Sequence, residues 1–559
     1  MKRRPHKITN NKLTDSIHTL AVLFNQGRYA EGGALAKELT VRFPQNGAGW
    51  KALGVMLVLQ GRSGEALGPM RKAAELLPGD AEAHNNLGNT LKAQDRLVEA
   101  EASYRQALSI KPDYAEAHNN LGNTLKDQGR LSEAEASLRR ALSIKPDSAD
   151  AHNNLLFSLN CTPGHLSYYL EEASRYGRMA AKKVEIRFSA WQCAPRPERL
   201  RVGFVSGDLH NHPVGYFLES VLAQVDPSRI EPIAYPTGHK ADELTVRIKP
   251  YFSSWKSLVG LSDKAAAGLI HADGIHVLLD CSGHTGKNRL PMFAWKPAPV
   301  QASWLGYFAT TGVAEMDYLL GDPYVTPAGE EGHFTETVWR LPETYLCFTP
   351  PDVPLEVGPL PALSSNSITF GSFNSLAKMN AAVVTLWAKV LQAVPHSRLF
   401  LKTNQLSDSG VRDATRQRFA ACGITPDRLL LEGTSPRAKV LEAYNRVDII
   451  LGPFPYPGGT TSIEGLWMGV PVITRRGDCF LPHVGESIAH NAGLADWIAE
   501  NDDDYVAKAV LHTADLGRLA VLRNTLRRQV LASPLFDAPR FARHLEAALW
   551  GMWERWQSR

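Results

Sequence analysis

A chain of 559 residues that is 44% hydrophobic and 21% charged, with a net charge of only +4, has the make-up of an ordinary globular protein, not of a fibrous or disordered one. Its length calls for about three or four domains. Lys and Arg are dense only in Met1–Lys7, read as a solvated terminus, so a chain built to wrap nucleic acid is excluded as well.

From the first residues onward no run approaches the roughly 18 apolar residues of a membrane span, and Leu20–Phe24 is too short for a signal peptide. The cysteines (Cys161, Cys193, Cys281, Cys347, Cys422, Cys479) include no C-x-x-C pair, which fits reduced thiols. The expectation is a cytoplasmic protein with neither membrane nor nucleic-acid partner.

Pro44, Pro78, Pro112 and Pro146 recur every 34 residues, the period of tetratricopeptide (TPR) arrays, and the copies at 78 and 112 differ at only seven of 34 positions. Each repeats an apolar set: Leu87, Gly88, Leu91, Ala100, Tyr104, Ala107, then Leu121, Gly122, Leu125, Ala134, Leu138, Ala141. Small residues let two antiparallel helices approach and Pro ends the second. Repeats near 10, 44, 78, 112 and 146 predict a TPR superhelix over 1–190. Asn86, Asn120 and Asn154 recur at the same period, joined by Asn89 and Asn123, and predict a ladder of amides able to bond an extended peptide.

Past a Pro- and Arg-containing linker near 188–198, short β-branched runs alternate with amphipathic helices. Strands are expected at Arg201–Val205, Glu231–Tyr235, His276–Asp280 and Val300–Leu305. A second series follows a linker at 345–366, at Ile368–Phe373, Arg398–Lys402, Arg428–Leu431, Asp448–Leu451 and Val470–Thr474. This predicts two doubly wound, Rossmann-like domains, 199–345 and 367–535, with a nucleotide cleft between their carboxyl edges, and a last helix at 536–559. Gly286-Lys287-Asn288 lacks the rest of a P-loop, and Asp502–Asp504 reads as the first turn of a helix and not as a metal motif.

Directly after a predicted strand comes Gly452-Pro-Phe-Pro-Tyr-Pro-Gly-Gly-Thr-Thr-Ser-Ile-Glu464. Gly458 and Gly459 permit close backbone approach, Thr460 and Thr461 offer hydroxyls and N–H groups at a helix start, and Glu464 stands where it could accept from ribose. Lys378, in Gly371-Ser-Phe-Asn-Ser-Leu-Ala-Lys378, leaves the first strand of the same half and so opens on the same edge, where an ammonium would stabilise a departing diphosphate. In Asp208-Leu-His-Asn-His212, His212 falls at the end of the first strand of its half, and no third residue of matching spacing makes His210 and His212 a metal site.

Together the repeats, His212, Pro297-Ala-Pro-Val-Gln-Ala-Ser-Trp-Leu-Gly-Tyr307, Phe373-Asn-Ser-Leu-Ala-Lys378 and Gly459-Thr-Thr461 resemble the protein O-GlcNAc transferases. The resemblance implies a GT-B fold and an inverting, metal-independent, cofactor-free transfer of N-acetylglucosamine from UDP-GlcNAc to Ser or Thr of proteins held by the TPR groove. It implies that Lys378 contacts the diphosphate, Thr460 and Thr461 the phosphates and Glu464 the ribose. It places Leu305 and Gly306 beside the sugar, His212 toward the acceptor as base or orienting group, and His271 in the donor pocket. Asn374, Ser375 and Gly459 complete the donor-binding set. The chain departs from the family where Ser375 replaces Gln, Gly459 replaces His, and Val440 replaces the His over uracil. Phe373–Lys378 and Phe454–Thr461 also resemble the SPINDLY-type protein O-fucosyltransferases, which use GDP-fucose. Both donors stay open, as does a non-catalytic TPR scaffold.

Overall fold

The computed structural model describes residues 6–559 apart from 163 and 165, and side chains from residue 13 onward except 167 as well. The basic start, as far as Pro5, lies outside the described residues. The chain divides into two compact units, one of residues 1–151 with 404–414, the other of 152–403 with 415–559.

The first unit is an array of helix pairs: His6–Asn25 with Tyr29–Arg42, Gly47–Leu59 with Ser63–Leu76, Ala81–Lys92 with Leu97–Ile110, and Ala115–Asp127 with Leu131–Ile144. Its repeated glycines are steric requirements. A Cβ at Gly88 would stand 2.5 Å from the Tyr104 ring, and one at Gly122 would stand 2.7 Å from Leu138. Asn46 and Asp80 start their helices by accepting backbone N–H groups of the first turn. The amide ladder is partly spent within the array, which corrects the expectation of free side chains. Asn120 Nδ2 donates to Asn85 Oδ1 and Asn89 Oδ1, each at 3.0 Å, and Tyr104 Oη donates to Asn89 Oδ1 at 2.8 Å. Amides one repeat apart come close enough to bond each other. Asn86 is half-buried in this unit, whereas Asn154 belongs to the second.

That division also moves the boundary expected near 190. Residues from His152 onward, in the helices Ala149–Asn160 and Leu166–Ala181, pack with the α/β halves. A Cβ at Gly177 would come within 1.7 Å of the Gly312 carbonyl oxygen, and Asn160 Nδ2 donates to Tyr307 Oη at 2.8 Å.

The first sheet contains β1 (Leu200–Ser206), β2 (Ile230–Pro236), β3 (Ser254–Trp255), β4 (Val277–Asp280), β5 (Val300–Ser303), β6 (Tyr318–Gly321) and β7 (Thr337–Arg340), in the order β3-β2-β1-β4-β5-β6-β7. The second contains β8 (Thr369–Ser372), β9 (Arg398–Lys402), β10 (Leu429–Glu432), β11 (Ile449–Leu451), β12 (Val472–Arg475) and β13 (Ile498–Ala499), in the order β10-β9-β8-β11-β12-β13. All pairings are parallel, and each sheet reverses direction once, between β1 and β4 and between β8 and β11. Ligands of such sheets bind outside the strand carboxyl ends at that reversal.

The last helix, Ala538–Gln557, returns to the first sheet. Glu546 accepts from the Asp226 N–H at 2.8 Å, Phe541 stacks on Trp304, and Trp553 sits edge-on to His276. The halves also meet directly where Ser487 donates to Asp322 at 2.7 Å. Asp502–Asp504 do form the first turn of the helix Asp502–Ala514, capped by Asn501.

Candidate active site

Since β8 and β11 are hydrogen-bonded neighbours, with Ile449 opposite Phe370 and Ile450 opposite Gly371, the loops that follow them emerge side by side. One carries Asn374 and the 3-10 turn Leu376–Lys378, the other runs into the helix Thr460–Trp467. Asn374 Oδ1 joins them, accepting from Lys378 Nζ at 3.2 Å and from Thr461 Oγ1 at 3.1 Å. Lys378 Nζ also donates to the Pro457 carbonyl at 2.9 Å, and it lies 3.9 Å from the centre of the Tyr456 ring. Burial pulls this ammonium down to about 7, opposed weakly by the Cys161 thiol.

The helix at Thr460 begins without a side-chain cap. The first N–H groups of such a helix and the positive end of its dipole favour an anion. A Cβ at Gly458 would stand 2.5 Å from Ser462 Oγ and 2.6 Å from Thr461 Oγ1, so any larger residue there would push these hydroxyls out of their present positions. A Cβ at Gly459 would meet nothing within 4 Å, and the approach to the helix start is open. Ser375 Oγ accepts from the Ala377 N–H at 3.3 Å and so caps the turn that presents Lys378.

Glu464 lies one turn into the helix and is only 3% exposed. Burial raises its carboxyl above the usual range, while Arg437, with Nη1 2.7 Å from Oε1, pulls it back. The carboxylate is thus already engaged by the Arg437 guanidinium. The Arg437 guanidinium also lies 4.0 Å from the centre of the Tyr216 ring, on the helix Pro213–Leu222 of the first half. Arg437 therefore spans the cleft, a role the sequence reading missed. Its position three residues before Val440 was the available signal.

On the opposing edge, Leu305 adopts φ 74°, a left-handed conformation that costs a non-glycine residue energy. A Cβ at Gly306 would fall 2.0 Å from the Cys281 carbonyl oxygen, so the loop after β5 is pressed against the end of β4. Both residues stay half-exposed. Phe308, two residues on from Gly306, meets Tyr456 edge to face with ring centres 4.7 Å apart, bringing the Leu305–Gly306 loop against the 452–459 loop on which Lys378 Nζ rests.

His212 caps the helix Pro213–Leu222, its Nδ1 accepting from the Val214 N–H at 3.3 Å. A neutral ring in this arrangement carries its proton on Nε2. Burial lowers its pKa, and Asp208, 3.7 Å from Nδ1, opposes that shift. The placement of His271 is corrected. It sits at the carboxyl end of the helix Asp263–Ala272, which leads into the amino end of β4, so it lies on the edge of the sheet away from the cleft. There it stacks on Phe188 and bonds the Ala190 carbonyl at 2.8 Å through Nε2. Among the described residues no three His, Cys, Asp or Glu side chains converge on a point that could hold a metal ion.

Two doubly wound sheets, joined across a cleft with an uncapped helix start on one side, form the GT-B architecture, here preceded by TPR repeats. The chain belongs to glycosyl transferase family 41, which matches residues 149–349 and 356–545, and tetratricopeptide repeats match 22–81 and 79–147. It is similar to a Thermobaculum terrenum O-GlcNAc transferase solved as a lysine-to-methionine mutant, with 33% identity, a TM-score of 0.84, and coverage of 91% of this chain and 97% of that one. A tomato protein named probable UDP-N-acetylglucosamine–peptide N-acetylglucosaminyltransferase SPINDLY is 36% identical over 393 residues, 69% of this chain and 42% of its own. The Arabidopsis thaliana protein of the same type named SEC is 30% identical over 368 residues, 64% of this chain and 37% of its own. The chain thus spans about two fifths of the length of the curated relatives it matches. No described helix is long and apolar enough to cross a membrane.

Proposed function

We propose that the chain transfers N-acetylglucosamine from UDP-GlcNAc, with inversion and without a metal ion, to Ser or Thr hydroxyls of cytoplasmic proteins engaged by the repeat array. The observation that carries this reading is the cluster of Lys378, Asn374 and Thr461 at an uncapped helix start. As the acceptor oxygen bonds the sugar C1, the C1–O bond to the diphosphate breaks and the hydroxyl proton passes to solvent, negative charge builds on the leaving group. Lys378 and the N–H groups of Thr460 and Thr461 stabilise it in a site already organised to do so. Glu464 takes ribose hydroxyls once Arg437 yields, and Leu305 and Gly306 border the sugar. His212, with its proton on Nε2, orients the acceptor oxygen by donating to it; accepting its proton would require the other tautomer.

A second reading, GDP-fucose as donor, is favoured by one feature: Val440, on the helix of Arg437, offers no ring to stack on uracil. Retention of both Lys378 and His212 speaks against a non-catalytic scaffold. Protein labelling with a panel of nucleotide sugars, paired with calorimetric titration of UDP and GDP, separates these readings. The expected result is GlcNAc labelling and tighter UDP binding, both persisting in excess chelator. Fucose labelling with tighter GDP binding would replace the donor, restoration by manganese after chelation would replace the mechanism, and no labelling with any donor would leave the scaffold.

A further inference from the structure

We propose that Tyr456 is a positioning residue for Lys378: its ring face is the platform that holds the ammonium at the mouth of the phosphate site. The proposal rests on the reading of Lys378 as the group that meets the departing diphosphate. Three contacts surround Nζ, namely Asn374 Oδ1 at 3.2 Å, the Pro457 carbonyl at 2.9 Å and the Tyr456 ring centre at 3.9 Å. The first two leave one side of the ammonium to the ring. A ring face attracts a cation through its quadrupole but imposes no directional bond. A diphosphate oxygen can therefore replace the ring while both hydrogen bonds stay in place.

The platform is itself fixed from the other half of the cleft. Phe308 meets Tyr456 at 4.7 Å and Phe157 meets it at 5.9 Å. Phe308 stacks in turn on Tyr307, whose hydroxyl bonds Tyr169 Oη at 2.7 Å and Asn160 Nδ2 at 2.8 Å. A continuous row of rings thus runs from the helices Ala149–Asn160 and Leu166–Ala181 to Lys378. The ionisable groups that face Lys378 are the Tyr456 phenol on the 452–459 loop and the Cys161 thiol past the end of the first of these helices. The Tyr456 phenol brings no negative charge near neutrality, because burial raises its pKa well above its usual value. With no carboxylate paired to it among the described residues, the half-buried amine is kept charged by the two oxygens and by the ring face, and the ring is the one of the three that a diphosphate can displace.

The test is the pH dependence of turnover in Tyr456→Leu, Tyr456→Phe and a series of fluorinated phenylalanines at 456, with melting as the folding control. A lysine that must be charged loses activity as pH rises through its pKa. Losing the ring should move that alkaline limb to lower pH by about one unit and cut turnover above it about tenfold, with acceptor KM unchanged. Phe should keep the wild-type limb, and each added fluorine, which drains the ring face at nearly constant shape, should lower it further. An unchanged limb in a folded Leu variant, or one indifferent to fluorination, overturns the proposal, as does a Phe variant that behaves like Leu. If the wild type transfers no sugar, the functional reading fails while this one is still measured, as proton uptake when UDP or GDP binds near pH 7.5. Greater uptake in the Leu and fluorinated variants supports the platform, and equal uptake overturns it.

Discussion

The two α/β halves have the same strand order around the same reversal, yet their crevices are chemically opposite. Between β8 and β11 the helix start lacks a side-chain cap, Gly459 faces open space, and an ammonium stands beside it. Between β1 and β4 the crevice is filled by the protein itself. The Gly207 N–H donates to Ser282 Oγ at 3.2 Å, a Cβ at Gly207 would meet Lys287 Cβ at 3.0 Å, and His212 caps the helix with the Asp208 carboxylate near it. Topology places both crevices, and loop chemistry leaves an uncapped helix start beside an ammonium only in the second.

The sharpest way to break this contrast is Lys378→Ala, which should lower turnover about a hundredfold to a thousandfold, because the charge matters most when the diphosphate departs. Melting should not fall, since the lost group is a half-buried cation without a carboxylate partner among the described residues; near-normal labelling by a folded variant would refute the assignment. His212→Ala should act on the other crevice alone. We expect turnover to drop about tenfold through lost orientation of the acceptor, about 1 kcal/mol of stability to go with the helix cap, and UDP affinity by calorimetry to stay unchanged.

A pH titration of UDP affinity sharpens the same point without mutation. Burial holds Lys378 near 7 in the free protein, and a bound diphosphate favours its charged form. Affinity should therefore be full below about pH 7 and weaken above it, by up to about tenfold per unit until the pKa in the complex is passed. Flat affinity from pH 6 to 9 would mean that the ammonium does not meet the phosphates. The smallest effect belongs to His271→Ala, on the far edge of the first sheet, where labelling should stay within about twofold of wild type.

The features legible in the sequence were local ones. The repeats declare themselves through their period, and Lys378, Asn374, Thr460 and Thr461 through loops that directly follow strong strands. The two-residue strands β3 and β13, and the four-residue β6 and β7, carry too little pattern to be read, since pairing with neighbours makes them strands. His271 was assigned to the donor pocket by the family resemblance alone; the chain order helix-then-β4 puts it on the far edge of the sheet. Arg437 on Tyr216, and Tyr456 beneath Lys378 and against Phe308, join residues far apart in the chain, and only the folded arrangement shows them.

The returning helix Ala538–Gln557 bears on how the protein is made. Asp226 and its partner Glu546 are 320 positions apart, and Trp304 waits for Phe541. A ribosome delivers the first sheet long before the helix that covers it, whereas β8–β13 find their partners within about 130 residues of one another. During synthesis the second sheet can therefore close first, while Trp304 and the surface around it stay open to water until the chain has passed residue 541. That interval, at about 5–20 residues per second, lasts on the order of ten seconds or more and is when a chaperone would find this chain most adhesive.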